Sequence, residues 1–331
     1  MRAFGVDEDQ VLSVSGNLIW NDMVGRYSQG LSRLAILMKR VRQGVVRCPC
    51  RLRFERLSDS VELLDGNDGF GQYASEIGVS RASDLARAHG VGIVGVRNSN
   101  FFGTGAFFVH KAAIGGMIGL VLSNSFPKVA ALGGSKAVLG TNPFAFGAPR
   151  RNGRSLMFDM STAGLAGSTI REQIRKGMLL PEGLVIDANG KPTTDPTKAA
   201  FGALLPFGGA KGYGLAVLVE ILSGVITGAG VSHGVASMYD NFKESGHNGH
   251  FLMALDIARW MSLEAYYERL ETLIETIKAS GPDGQVQLPG ENRWRHFDEN
   301  SGKGIPLEAE TRKALRELSD ACGICVPWSE D

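Results

Sequence analysis

Several signals that sort a chain into a specialised class are scarce or missing. Its 331 residues include only four cysteines, Cys48 and Cys50 as C-x-C and Cys322 and Cys325 as C-x-x-C. One pair is tight and the other lies near the chain end, so free thiols are expected rather than a four-thiolate zinc site. No basic-then-apolar leader opens the sequence, which fits a reduced, cytoplasmic protein. Charge of one sign is also missing, since 35 Lys and Arg face 34 Asp and Glu. No broad field draws in nucleic acid or an anionic membrane, and a charged ligand has to be held locally. The six histidines form no H-E-x-x-H or other metal spacing, so no metal is expected and each is read as a surface or satisfied core residue. There is no G-x-S-x-G nucleophile elbow. One weakly charged run, Gly212 to Gly230, carries Glu220 and five glycines. That composition predicts a helix buried all round in a globular domain, not a membrane span.

What is present is length, ordinary polarity and much glycine. At a prior of ~150 residues per domain the chain holds about two domains or one large one, with ample core. Its 44 glycines are roughly twice the usual share and point to tight turns and backbone close to a ligand.

Periodicity then places elements along the chain. Leu31, Leu34, Met38 and Val41 form one helical face that Gly44 stops, and Leu52, Phe54, Val61 and Leu63 alternate around Ser58-Asp59-Ser60 as a hairpin. A helix runs from Gln72 to His89, followed by strands over Val91 to Val96 and Met117 to Leu122 with a helix between them. Ser155 to Asp159 reads as a strand, Ser168 to Lys176 as a helix and His250 to Asp256 as a strand. Ser262 caps a long amphipathic helix, Arg293 to Gly304 is polar and is expected to be loop, and a last helix starts near Pro306.

Gly90-Val91-Gly92-Ile93-Val94-Gly95 matches a dinucleotide fingerprint, but that motif needs a strand before it and a helix after it. Here a helix precedes and the glycines fall inside a strand, so close packing is the better reading. Gly208-Gly209-Ala210-Lys211-Gly212-Tyr213-Gly214 opens a helix with free N–H groups and a cation, which suits a phosphate as well as it suits a glycine-packed helix start. Leu288-Pro289-Gly290-Glu291-Asn292-Arg293-Trp294 is too mixed for core alone and suggests a ligand cleft.

In order, the strings GRYSQGLSRL from Gly25, LLDGNDGFGQ from Leu63, VRNSNFFGTGAF from Val96, LGTNPFAFGAP from Leu139 and FDMSTA from Phe158 resemble the type-2 malate/L-lactate dehydrogenase family. The resemblance continues through LLPEGLVIDANGKPTTDP, GALLPFGGAKGYGLAVLVEIL, NGHFLMALD, LPGENRW and GIPL. It implies a non-Rossmann α/β fold with a mixed, largely antiparallel sheet and helical terminal segments. Residues 66–249 would form the cofactor-binding unit, and 1–65 with 250–331 the helical, dimerisation and substrate-side segments. It further implies NAD or NADP as cofactor, a small carboxylate-bearing substrate, and a homodimer whose cleft borrows residues from its partner.

Carried over by motif, the cofactor-contacting residues are Phe101, Phe102, Gly103, Thr104 and Gly105, then Asp159, Met160 and Ser161, Lys211, and Pro289, Gly290, Glu291, Asn292 and Arg293. Arg33 and Thr141 correspond to substrate contacts, and the Arg33 fork suits a carboxylate. The departures lie in the chemistry. The family usually reads Ser-His-Gly where this chain has Ser28-Gln29-Gly30, and that histidine is its proposed proton donor. Phe101 replaces a second histidine, and Ala166-Gly167-Ser168-Thr169 replaces an Ala-Arg-Gly-Lys stretch. Because a carboxamide does not titrate near neutral pH, Ser28 and Gln29 can hydrogen-bond a reacting group without protonating it. The expectation is an oxidoreductase acting at C2 of a 2-oxo, 2-hydroxy or 2-imino acid, with imine reduction favoured. The alternatives are a degenerate member that binds a nucleotide or metabolite without redox turnover, and a repurposed non-redox enzyme.

Overall fold

A computed structural model of the chain describes residues 1–282 and 284–328. Helices α1 (Glu8–Met23) and α2 (Leu34–Arg42) come first and bury Val14, Leu18, Leu37 and Met38 against Phe70. Gly44, at φ 71°, ends this layer. The hairpin β1 (Arg53–Arg56) and β2 (Val61–Asp65) pairs antiparallel as its alternation predicts. Then come α3 (Gly71–His89), β3 (Val91–Ser99), α4 (Gly105–Ile114) and β4 (Met117–Ser123).

Short strands β5 (Val129–Ala130) and β6 (Ala137–Leu139) precede the hairpin β7 (Phe144–Ala148) and β8 (Leu156–Met160). Helix α5 (Gly167–Lys176), β9 (Val185–Ile186), α6 (Pro196–Ala199) and β10 (Ala203–Leu204) follow. The chain closes with α7 (Ala210–Glu220), β11 (Asn248–Asp256), α8 (Leu263–Lys278), α9 (Glu291–Lys303) and α10 (Ala309–Asp320).

These strands make a seven-stranded sheet ordered β1-β2-β3-β11-β4-β7-β8 and a four-stranded sheet ordered β6-β5-β10-β9. Only β2 with β3 and β5 with β10 run parallel. The sheet is therefore mixed and largely antiparallel, as the resemblance implied. Strand β2 ends just before residue 66 and most of β11 lies beyond residue 249, so both flanking segments contribute to one central layer. Helices α3 and α4 cover one face of the large sheet, where Leu64, Val94 and Val96 pack on Ala82, Ala86 and Phe108. A second core gathers Val129, Ile170, Val185, Leu204 and Ala216 around the small sheet.

The glycine fingerprint is a packing device. Gly92 and Gly95 lie within β3, and a Cβ on Gly92 would stand 2.0 Å from the Ala82 carbonyl oxygen. Helix α3 can approach the strand that closely only where there is no side chain. All four cysteines are free, and burial pushes the Cys48 thiol up to about 12 and Cys50 to about 11.

Two expectations need correction. Residues 293–303 are helical, not loop: α9 starts after Gly290 at φ 92°, and Trp294, Arg293 and Asn300 turn inward on one side. Its Asn, Ser and Gly content is weak for a helix, and tertiary packing overrides that weakness. The run from Gly212 is not a helix buried all round. Its α7 part stops at Glu220, a π-turn over 221–225 follows, and Leu218, Ile221, Val225 and Ile226 are exposed. Among the described residues no helix is long and apolar enough to cross a membrane.

Candidate active site

The segment after α1 is held by an acid beneath it. Residues Tyr27–Gln29 and Leu31–Arg33 form two short 3₁₀ turns around Gly30. The Leu31 N–H donates to Asp22 Oδ2 at 2.9 Å. Gly30 lies so near that a Cβ would stand 1.8 Å from Asp22 Oδ1. From α9, Asn300 Nδ2 donates to the carbonyls of Asp22 and Met23 at 3.1 and 3.0 Å, reaching the end of α1, where the Asp22 carbonyl also accepts from Gly25 N–H at 3.0 Å. This anchoring aims Gln29 and Arg33 into a cleft of about 370 Å³, a volume in the range of small-molecule sites. Gln29 Oε1 and Arg33 Nε are both buried and have no hydrogen-bond partner. Burial lowers the Arg33 pKa, Tyr239 opposes the change, and nearby Arg171 adds to it.

A second wall is the loop from Phe101 to Gly105, between β3 and α4. Asn100 fixes its start by donating to the carbonyls of Asp68 and Gly69 and accepting from Gly246 N–H at 2.8 Å. Phe102 stacks on His250 with ring centroids 4.8 Å apart. His250 is wholly buried, its two ring nitrogens each 2.8 Å from a serine hydroxyl, Ser123 and Ser99. Burial pushes its pKa down to about 3, so the ring is neutral and sits behind the cleft wall. Asp159 accepts from Ala106 N–H at 3.1 Å, at the start of α4, and meets Arg293 Nη2 at 3.3 Å. Both side chains of that pair are 8% exposed. Burial pushes the Arg293 pKa down to about 10 against the pull of Asp159.

The third wall carries hydroxyls. Thr141 N–H donates to Ser125 Oγ at 3.0 Å, and Ser161 Oγ donates to the Thr141 carbonyl at 3.1 Å. Beneath them Asn142 donates to Glu220 at 2.7 Å, tying this turn to α7.

Of the residues singled out in the sequence, Gln29, Arg33, Phe101 to Gly105, Thr141, Asp159 and Ser161 line one cleft. Arg293 reaches it only through Asp159. Ser28 is exposed and outside the lining, as is Lys211 at the start of α7. Met160 and the Pro289 to Asn292 turn do not line it either. Pro289 accepts from Met157 N–H at 3.2 Å and Glu291 pairs with Lys278 at 2.6 Å, so that turn braces β8. Sequence reasoning missed Lys128, Arg171 and Tyr239, which also line the cleft. No local pattern marks them, because the packing of the two sheets brings them there.

The family model for malate/L-lactate dehydrogenase matches residues 1–316. The chain belongs to this family. The malate/(S)-sulfolactate dehydrogenase of Methanothermus fervidus is 34% identical over 328 residues, covering 99% of this chain and 96% of the relative. The solved sulfolactate dehydrogenase of Methanocaldococcus jannaschii superposes with a TM-score of 0.91 at 32% identity, over 98% of this chain and 93% of its own. The Δ1-piperideine-2-carboxylate reductase of Pseudomonas syringae pvar. tomato gives 0.87 at 29% identity, over 96% and 95%. As a member of this dehydrogenase family the protein is an NAD(P)-dependent oxidoreductase, and the cleft suits that cofactor class. Phe102, Phe126, Ile170 and Leu204 offer apolar wall, and the Thr104, Ser125, Thr141 and Ser161 hydroxyls offer partners for sugar and carboxamide groups. The unpartnered Gln29 Oε1 and Arg33 Nε are what a site awaiting polar ligand atoms presents.

Proposed function

We propose that the protein reduces C2 of a small carboxylate-bearing acid, and that 2-imino acids are better substrates than the matching 2-oxo acids. One observation carries this reading: Gln29 and Arg33 point buried, unpartnered polar atoms into a cleft that no histidine lines among the described residues. Phe101 to Gly105 and the Ser161 hydroxyl would hold the nicotinamide end, with Asp159 kept in place by Arg293, and Thr141 would face the substrate with Arg33. Bound there, the reduced nicotinamide supplies a hydride to C2.

The chain's own residues then decide which acceptor works. Arg33 grips the C1 carboxylate with parallel N–H donors and fixes which carbon is presented. A ketone leaves an alkoxide that needs a proton, and lacking a positioned acid costs ~10² to 10⁴ in rate. Gln29 can orient that oxygen through its amide, but it has no proton to give. An iminium carbon is already electrophilic and its product is a neutral amine, so orientation by Gln29 and Arg33 suffices. The exposed stripe Leu218, Ile221 and Val225 supports a homodimer, since these apolar side chains follow helical spacing on one face.

The test measures NADH and NADPH oxidation with cyclic 2-imino acids and with pyruvate-like ketones, in the native protein and in Gln29→His. Faster imine reduction and a selective gain in ketone reduction by Gln29→His are expected. Ketones that match or beat imines in the native protein would overturn the reading.

A further inference from the structure

Glu220 is a buried acid outside the cleft lining, at the last position of α7 and 5% exposed. Its two oxygens take separate donors, Asn142 Nδ2 at 2.7 Å and Ser232 N–H at 2.7 Å. Neither donor carries a charge, so these are hydrogen bonds and not an ion pair. Burying a carboxylate on such terms is costly, and an apolar residue would fill the same space more cheaply. What the carboxylate supplies is a second acceptor. Two N–H groups converge here, and a glutamine has only one oxygen to offer them.

Asn142 carries this tie to the cleft. It is wholly buried at φ 35°, a left-handed conformation that asparagine tolerates. Besides Glu220, its Nδ2 donates to the Ala216 carbonyl at 3.0 Å and its Oδ1 accepts from Ser125 N–H at 3.2 Å. One residue earlier, Thr141 N–H donates to Ser125 Oγ at 3.0 Å, and the two hydroxyl oxygens stand 3.3 Å apart. Thr141 and Ser125 both line the cleft. They are therefore held from behind by an amide whose orientation Glu220 sets. A second tie runs beside the first, since Asn124 lines the cleft and donates from Nδ2 to the Gly230 carbonyl at 2.7 Å, two residues before Ser232. We propose that Glu220 is a positioning residue for the reaction: through Asn142 it fixes the aim of the Thr141 hydroxyl and so sets affinity for the acid substrate. This inference rests on the reading of Thr141 as a substrate contact.

The test exchanges donor and acceptor between the two residues. Glu220→Gln leaves one of the two donors without an acceptor, and Asn142→Asp sets two carboxylates against each other. In the double variant Glu220→Gln/Asn142→Asp the new amide donates to the new carboxylate, while Ser232 N–H and Ser125 N–H each keep an acceptor. Only the bond to the Ala216 carbonyl is lost. Each protein is loaded with NAD⁺, which has no hydride to give, and titrated calorimetrically with 2-oxobutanoate, so the readout needs no turnover. Glu220→Gln is expected to weaken acid binding by about tenfold, with a smaller change in the Kd for NADH, and the double variant to recover most of the loss. In turnover assays the same change falls on the KM for the acid. Thr141→Val should weaken acid binding alike, and adding Glu220→Gln to it should cost little more, because the two act through one hydroxyl.

A Glu220→Gln protein that melts earlier but binds the acid as the native protein does overturns the proposal and leaves Glu220 a purely structural residue. So does an equal loss for the acid and for NADH, or a double variant no better than the worse single one. If Glu220→Gln does not fold, Glu220→Asp takes its place: it keeps both oxygens, withdraws them by one methylene and is read by the same comparison of acid with NADH. Thr141→Val separates the inference from the reading beneath it. Unchanged acid binding in that variant refutes Thr141 as the substrate contact, whereas weakened binding there with no effect of Glu220→Gln refutes Glu220 alone.

Discussion

Asp22 is the group whose titration the fold perturbs in a way that a stability measurement can read. It is 2% exposed, accepts from Leu31 N–H and abuts Gly30. Burial raises its pKa from the ordinary 3.8 to about 6, with the Leu31 bond opposing. A carboxyl whose folded pKa lies above its unfolded one binds more protons in the native state between those two values. Stability is therefore greatest below the unfolded value, falls as pH rises from about 4 to 6, and levels off above. At 1.36 kcal/mol for each pH unit, the change from 3.8 to about 6 corresponds to about 3 kcal/mol.

Asp22→Asn removes the titration while its amide oxygen can still accept from Leu31. The variant should gain on the native protein by about 3 kcal/mol between pH 4 and pH 7, or roughly 4 °C in Tm for a chain of this size. The assay is urea and thermal unfolding at pH 4, 5, 6, 7 and 8 at one protein concentration, since assembly shifts apparent stability. A difference that stays flat across this range would refute the reasoning. Lower stability of Asp22→Asn at pH 8 would show instead that the ionised carboxylate has a partner strong enough to outweigh its burial.

Gly30→Ala should destabilise by about 1 to 3 kcal/mol and lower activity, because its Cβ would stand 1.8 Å from Asp22 Oδ1. The φ of −95° is ordinary, so the cause is space rather than strain, and Asp22→Ala in the same chain should recover part of the loss. For the exposed stripe on α7 and the turn after it, Ile221→Arg with Val225→Lys should convert a dimer to a monomer by sedimentation velocity; a native protein that is already a monomer at micromolar concentration would refute the dimer.

Elements with strong periodicity and a clear stop were legible: α3 ends where Gly90 stands, and α8 begins where the Ser262 hydroxyl accepts from Ala265 N–H at 3.2 Å. Helix α9 was not, because Asn292, Ser301 and Gly302 argue against a helix locally. Burial of Trp294 and Asn300 depends on α1 and α4 being there to receive them. The site divides in the same way. Gln29, Arg33 and the Phe101 to Gly105 loop sit in contiguous motifs that a sequence displays. Arg171 sits on a short helix with ordinary surface composition and Tyr239 in an irregular loop, so neither stands out before the two sheets are packed.

The near-zero net charge of the chain and the charge of its cleft are compatible because they act over different distances. Thirty-five basic and 34 acidic residues cancel at long range, where salt screens within about 8 Å at physiological ionic strength. Inside the cleft Arg33, Lys128 and Arg171 face only Asp159, which Arg293 already occupies. Burial of Arg33 weakens solvent screening around it, so that cation acts more strongly on a bound acid than the same group would on the surface, whereas Lys128 and Arg171 are exposed. Capture of an anionic substrate is then a property of a few side chains brought together by α5, the Tyr239 loop and the turn after α1. Raising salt should weaken binding of an acid held on Arg33 less than it weakens an exposed surface pair, because that contact lies within the wall of the protein and not across open water.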